Sequence, residues 1–313
     1  ELLQHPDGSV YIADWTDVGE CHENDGVHRT SGRIYRVECG KPLHFPHGLE
    51  EMALPKLVRL ACDAEEPVSR MARRVIQSYD TSQHPAVLKA EITHLGKVIG
   101  SNASEKEQLR AIWVLNALLG DSVKVAIREQ DLSNHSSQHE HVRAWVVRLL
   151  IDRQDLEPGT IDALVSLAQR DTSGLVLIYL ASAIQKTTAP ADRFALASAI
   201  SSHAEFATDP TLPLMVWYGI EPVVVNDPAA ALKLAAETKF PKVRQFIARR
   251  LASAPSIRKD SLDQLAKLLS TGDSQARLDV LSGIARGLEG VRKVPAPVGW
   301  DAASSALSKD DNT

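Results

Sequence analysis

The chain has 313 residues, of which 44% are hydrophobic and 24% charged, with a net charge of −5 and 5% aromatic residues. These are ordinary values for a soluble globular protein, and the acidic balance argues against nucleic acid or an anionic membrane surface as the main partner. No run approaches the ~18 apolar residues of a membrane span.

The charge is unevenly placed. Residues 1–48 hold eight acids against four bases and five of the eleven histidines, so this short segment carries −4 while the remainder carries −1. The chain opens on Glu1 rather than a methionine. That residue is therefore not expected to be the natural start, and the lack of a visible signal peptide says nothing about destination.

In chain order, Pro6-Asp7-Gly8 is a turn signal, because proline presets φ and glycine accepts positive φ. Val10-Tyr11-Ile12-Ala13 behind it is β-branched and aromatic and reads as a strand. A long acidic loop follows, from Asp14 through Glu20-Cys21-His22 to Asp25-Gly26-Val27-His28-Arg29, before Gly32–Val37 reads as a second strand. Two strands joined by a long loop cannot bury their faces alone. Propeller blades need about four strands within a ring of several blades, so the partners of these strands are expected upstream of the chain.

From about residue 50 the period becomes helical. The apolar spacing predicts seven helix pairs: 55–62 with 66–79, 85–99 with 104–119, 121–131 with 138–152, 158–170 with 173–186, 190–202 with 211–225, 227–238 with 240–253, and 258–270 with 273–289. Second helices recur every 29–38 residues, the signature of a HEAT/armadillo-like α-solenoid. Leu109-Arg110, Val142-Arg143, Val243-Arg244 and Ala276-Arg277 open second helices, each with an apolar stripe at i, i+4 and i+8 that lies on one helical face. Proline marks the first turns at Pro55, Pro67, Pro85, Pro158, Pro190, Pro213, Pro228 and Pro241. Ser104 with Glu107 has capping-box spacing. Gly219 and Pro222 predict a kink or break in the helix over 211–225. The organisation expected is a terminal propeller-blade remnant over 1–48, a helical repeat domain over 49–290, and a linker or tail over 291–313.

The acidic loop carries the most distinctive chemistry. Cys21, His22, Glu23, Asp25 and His28 mix soft, borderline and hard ligands within eight residues, and a borderline cation can take His22, Asp25 and His28. The spacing matches no established zinc pattern, and the same residues also suit a solvated, structurally hydrogen-bonded loop or a propeller-mouth loop including Asp14, Glu20 and Arg29. Cys21 and Cys39 bracket the second strand, so one disulfide is sterically allowed beside the alternative of three free thiols. The recurrent arginines Arg70, Arg110, Arg143, Arg244 and Arg277 read as ties between stacked repeats, or else as a basic ladder for a partner. Trp113, Trp145 and Trp217 read as core aromatics, and His135, His139 and His141 as a solvated loop. No Gly-rich phosphate loop, Gly-x-Ser-x-Gly or His-Glu-x-x-His is present.

Three motifs carry a resemblance. They are Pro6–Trp15, then Gly19-Glu20-Cys21-His22 with Asp25–Arg29, then Ser31–Arg36. They resemble the end of the propeller in large bacterial membrane-bound dehydrogenase-like proteins of the planctomycete–verrucomicrobial type, which join a glucose/sorbosone-dehydrogenase-like β-propeller to HEAT-like repeats and a c-type haem domain. Val68–Arg74, Leu212–Pro222 and Gly287–Gly290 are similar to their helical part. The resemblance implies that the chain is a fragment of a periplasmic or cell-surface protein. That protein would oxidise a sugar or polyol with pyrroloquinoline quinone (PQQ) and pass electrons to a c-type haem. The helices would be a spacer whose partners are the missing blades and a downstream haem domain, and the segment alone would be inactive. The chain departs from that plan in lacking Cys-x-x-Cys-His, and no quinone ligand can be assigned within it. The alternative is a non-enzymatic propeller–HEAT protein that binds a protein or glycan on the solenoid face.

Overall fold

Proline and small polar residues punctuate the chain, and the elements start where they fall. A computed structural model describes residues 1–5, 7–14, 32–40, 46–120, 138–152 and 158–309. They divide into two units, Glu1–Ala126 and Ile127–Thr313. Among the described residues there are three strands, two short 3-10 turns and fourteen α-helices, so the protein is mainly helical.

The first unit begins with an antiparallel sheet in the order β1 (Leu2–Gln4), β2 (Val10–Ala13), β3 (Ile34–Val37). Leu2 pairs with Ile12 and Gln4 with Val10, while Val10 pairs with Val37 and Ala13 with Ile34. The β1–β2 connection closes through His5 N–H donating to Ser9 O at 2.8 Å, with Gly8 at φ 88°. Sequence pattern predicts only the last two of these strands. The sheet leaves Leu2, Leu3, Ile34, Tyr35 and Val37 between 47% and 74% exposed.

The helices of this unit are α1 (Leu54–Asp63), α2 (Glu66–Gln77), α3 (Pro85–Ile99) and α4 (Glu105–Leu119). Helix α1 touches α3 and α2 touches α4, so first and second helices form separate layers. The capping box is present: Glu107 N–H donates to Ser104 Oγ at 3.4 Å and Ser104 N–H to Glu107 Oε2 at 2.8 Å.

The second unit repeats the plan. Its second helices are α5 (Glu140–Ile151), α7 (Gly174–Lys186), α9 (Leu212–Val224), α11 (Pro241–Ser253) and α13 (Ser274–Gly287). Its first helices are α6 (Pro158–Arg170), α8 (Pro190–Ile200), α10 (Pro228–Glu237), α12 (Arg258–Thr271) and α14 (Trp300–Leu307). In both series each helix touches the next member of its own series, which is the stacking of an α-solenoid. The i, i+4, i+8 stripes form its core: Val176, Leu180 and Ile184, then Val243, Ile247 and Leu251, are 0% exposed. Each such side chain contributes about 1.5–3 kcal/mol by leaving water.

The predicted pairs match these boundaries to within a few residues, except that the first helix expected over 121–131 lies outside the described residues. All eight prolines fall at a helix start. Two expectations change. Helix α9 runs from Leu212 to Val224 with Pro222 inside its last turn, so the break expected at Gly219 and Pro222 does not occur. Within 291–313, expected as linker or tail, residues Trp300–Leu307 form α14. Its Ala303 is fully buried and Leu307 nearly so, because α14 packs on α12 as the next first-layer helix.

Candidate functional site

The acidic loop is the leading sequence candidate, and the structure fixes its two roots. Asp14, half-buried at the end of β2, donates its N–H to Arg33 O at 2.8 Å, so the loop leaves and re-enters as one β2–β3 hairpin. Glu20, Cys21, His22, Asp25, His28 and Arg29 fall within 15–31 and lie outside the described residues, as do the proposed metal set and one partner of the Cys21–Cys39 pair. Cys39 is exposed at the end of β3. Among the described residues no group of three or more metal-ligating side chains converges.

A polar cluster unforeseen in the sequence lies at the other end of the sheet. Ser9 Oγ donates to Asp7 Oδ1 at 2.6 Å, Arg36 Nη2 donates to Asp7 Oδ2 at 2.7 Å, and His5 Nδ1 is 2.8 Å from Asp7 Oδ1. The Ser9 hydroxyl and N–H, followed by the His5 ring, hold the Asp7 carboxyl far below the usual carboxylate range. Serine, histidine and aspartate are the residues of a nucleophilic triad, but here the order is wrong. In a triad the imidazole stands between nucleophile and acid, whereas here the carboxylate stands between the hydroxyl and the ring. The cluster is a turn staple, with Arg36 stacked 5.9 Å from the Tyr11 ring and paired with Glu38 at 2.8 Å.

The recurrent arginines turn inward. Arg110, 4% exposed, donates to Cys62 O at 2.8 Å, to Ala64 O at 2.6 Å and to Glu66 Oε2 at 3.2 Å, tying α4 to the α1–α2 turn. Arg143 grips Asp171 with two hydrogen bonds, 2.6 and 2.9 Å, across to the α6–α7 turn. Arg244 reaches Asp279 of the next repeat at 2.7 Å. Arg277 Nη1 lies 3.4 Å from Ala306 O of α14. Arg70 departs from the set: it is 71% exposed and 3.7 Å from Glu66. The inter-repeat tie is therefore the role of these arginines, and a basic ladder is not.

A second series of ties has no side-chain signature in the sequence. Arg193 Nε donates to Thr187 O at 2.7 Å, and Arg258 Nε to Ala252 O at 2.9 Å. In both, a first-helix arginine caps the end of the preceding second helix, six residues back, where C-terminal carbonyls lack helical donors.

Among the described residues of the second unit, concave regions open at two places of note. A cleft of about 520 Å³ lies over α8, between Gln169 of α6 and Lys233 and Glu237 of α10, on a floor of Ala195, Ser198 and Ser202. The floor follows the spacing i, i+3, i+7, which is legible in the sequence as small residues on one helical face. The lining contains no histidine or cysteine. A smaller apolar pocket of about 270 Å³ lies between α12–α13 and the segment Val294–Pro297. Asp263 holds that segment by accepting the Val298 N–H at 2.7 Å.

The tryptophans expected in the core are half-buried at its edge. Trp113 carries Arg73 at 5.0 Å and Trp145 carries Arg148 at 4.7 Å, while Trp217 tilts against Phe246 at 5.3 Å. Among the described residues no helix is long and apolar enough to cross a membrane. The chain matches no protein-family model and no curated protein.

Proposed function

We propose that the chain is the hairpin-and-repeat section of a larger dehydrogenase-like protein of the quinone type. In that reading the helical repeats are the spacer between a sugar- or polyol-oxidising propeller and an electron-transfer domain, outside the cytoplasm. The observation that carries it is the sheet. Three short strands with Leu2, Leu3, Ile34, Tyr35 and Val37 exposed are a surface that needs a cover. Asp14 and Arg33 close the base of the β2–β3 hairpin on either side of the central motif that carries the resemblance. A neighbouring propeller blade supplies such a cover.

The cofactors of that reading do not fit this chain's own residues. The three cysteines stand at 21, 39 and 62 with no Cys-x-x-Cys-His, so a c-type haem has no attachment site here. No described cluster offers a quinone a set of convergent ligands. The reading therefore assigns the chain positioning work and no chemical step. The test is to purify the complete polypeptide that contains this sequence. Bound quinone and haem are then measured, together with sugar- or polyol-driven reduction of an artificial acceptor and distribution between cell fractions. Substrate-dependent reduction in a periplasmic or surface fraction is expected. A protein free of quinone and haem that oxidises no sugar or polyol overturns the reading. The alternative, a non-enzymatic scaffold that binds a protein or glycan, predicts that second result.

A further inference from the structure

The fold sorts charge between the two helix layers of the second unit. The five second helices hold nine basic and three acidic side chains, a net +6. The five first helices hold six of each, a net of zero. The surplus is at the surface. Arg148, Lys186, Lys242, Arg249 and Arg286 are exposed. The acids of this layer are already engaged: Glu140 accepts from Ser173 Oγ at 2.5 Å, Glu221 pairs with Arg250 at 3.0 Å, and Asp279 is buried against Arg244.

Aromatic side chains share that side. Helices α7, α9 and α11 have second helices on both flanks and first helices beneath. What is exposed in their middle turns therefore faces away from the first layer. Tyr218 there is 60% exposed. On α9 itself Trp217 tilts against Phe246 of α11, and on α5, separated from α9 by α7, Trp145 lies under the Arg148 guanidinium. Tryptophan, tyrosine and arginine are the residues that concentrate binding energy at protein interfaces.

We propose that this face docks an acidic polypeptide segment bearing aromatic or aliphatic side chains. The bases give long-range attraction and orientation. The rings give apolar anchorage, which a polyphosphate backbone does not use in the same way. The proposal stands whether or not the chain belongs to a dehydrogenase, and its readout is binding rather than oxidation.

The test uses the full chain and a fluorescent copolymer of glutamate and tyrosine, read by anisotropy. Polyglutamate, duplex DNA and phosphatidylserine vesicles are the comparisons. Saturable binding of the copolymer is expected, tighter than polyglutamate and weakened by salt. The triple variant Arg148→Glu/Lys242→Glu/Arg249→Glu should lose affinity by about tenfold or more. Tyr218→Ser should lose part of it, and Lys267→Glu in the first layer should change nothing. Helical circular dichroism checks the fold of each variant. If the triple variant unfolds, Arg249→Gln and Tyr218→Ser, both at exposed positions, decide the matter. The proposal is overturned by no saturable binding, by second-layer variants that bind as well as the parent, or by DNA or vesicles bound as tightly through the same residues.

Discussion

Replacing Arg244 by alanine is the sharpest test of how the repeats are joined. Arg244 is 8% exposed and Asp279 is 0% exposed. Asp279 Oδ1 accepts from the Gln245 and Gln275 amides, each at 3.0 Å, so Oδ2 depends on Arg244 Nη1 at 2.7 Å. The same guanidinium donates to Ala235 O at 2.9 Å and to Thr238 O. Removing it strands a buried carboxylate oxygen and two buried carbonyls together. Breaking a buried pair by deleting one partner costs about 3–5 kcal/mol, which at roughly 2–4 °C per kcal/mol lowers Tm by on the order of 10 °C.

The assay is urea and thermal unfolding of Arg244→Ala, Asp279→Leu and the double variant. The double variant should be less damaged than the sum of the singles, with a coupling of roughly 1–3 kcal/mol, since it leaves no unpaired charge. The two carbonyls stay orphaned, so it should not recover fully. A loss below about 1 kcal/mol in Arg244→Ala, or additivity within about 0.5 kcal/mol, would refute the inter-repeat tie.

Other consequences can be measured on the same protein. At Gly283 an added Cβ would lie 2.4 Å from Gln245 O and 2.7 Å from Ala248 Cβ, so Gly283→Ala should force α13 off α11 and cost about 1–3 kcal/mol. Gly96 in α3 has open space around it, so Gly96→Ala should instead stabilise by roughly 0.5–1 kcal/mol, and a pair of melting curves reads both signs. Glu66 is held below the usual carboxylate range because the Arg73 and Arg110 guanidiniums outweigh the opposing effect of burial, and the Val298 N–H lowers Asp263. Such groups bind protons less well folded than unfolded, so their contribution is full above about pH 4 and is lost as pH falls below it. The urea midpoint should drop with acid, and a midpoint that rises there contradicts the assignment. Burial, then the Asp63 charge, push the Cys62 thiol up to about 11. Iodoacetamide at neutral pH should therefore label exposed Cys39 first and reach Cys62 only on unfolding, as mass mapping would show.

The helices were legible because two independent signals coincide in them. Proline fixes the first turn and the i, i+4, i+8 stripe fixes the buried face, so Pro241 with Val243, Ile247 and Leu251 defines α11 without further context. Elements that exist only through a neighbour were not legible. Strand β1 is Leu-Leu-Gln, three residues without a β-branched side chain, and it is a strand because Leu2 and Gln4 find Ile12 and Val10. Helix α14 reads as a polar tail because a single alanine and a single leucine suffice to seat it on α12. Arg193 and Arg258 were invisible as ties because they bond backbone carbonyls, which leave no trace in residue type. At the candidate site, composition singled out the acidic loop and the structure adds the closure of its base by Asp14 and Arg33. The Asp7–Ser9–Arg36 cluster shows in sequence only as an Asp-Gly-Ser turn, since Arg36 arrives from another strand.

Charge is the one property whose whole-chain value differs in sign from that of a single helix layer. A net charge of −5 describes the whole chain, yet the second-helix layer of one unit carries +6. The difference arises from periodicity. A repeat returns corresponding positions to the same surface every 29–38 residues, so a small bias per repeat accumulates on one face, while four of the compensating negative charges lie in residues 1–48. The same register turns Arg110, Arg143 and Arg244 inward at the start of second helices and leaves Arg148 and Arg249, five residues further along α5 and α11, outward. One residue type thus serves two purposes, separated by the helical phase: the inner arginines satisfy carbonyls and carboxylates and hold the stack, and the outer ones face water, Arg148 over the Trp145 ring. Charge reversal should therefore act on binding at the outer positions and on stability at the inner ones, and a face whose reversal melted the protein would belong to the stack instead.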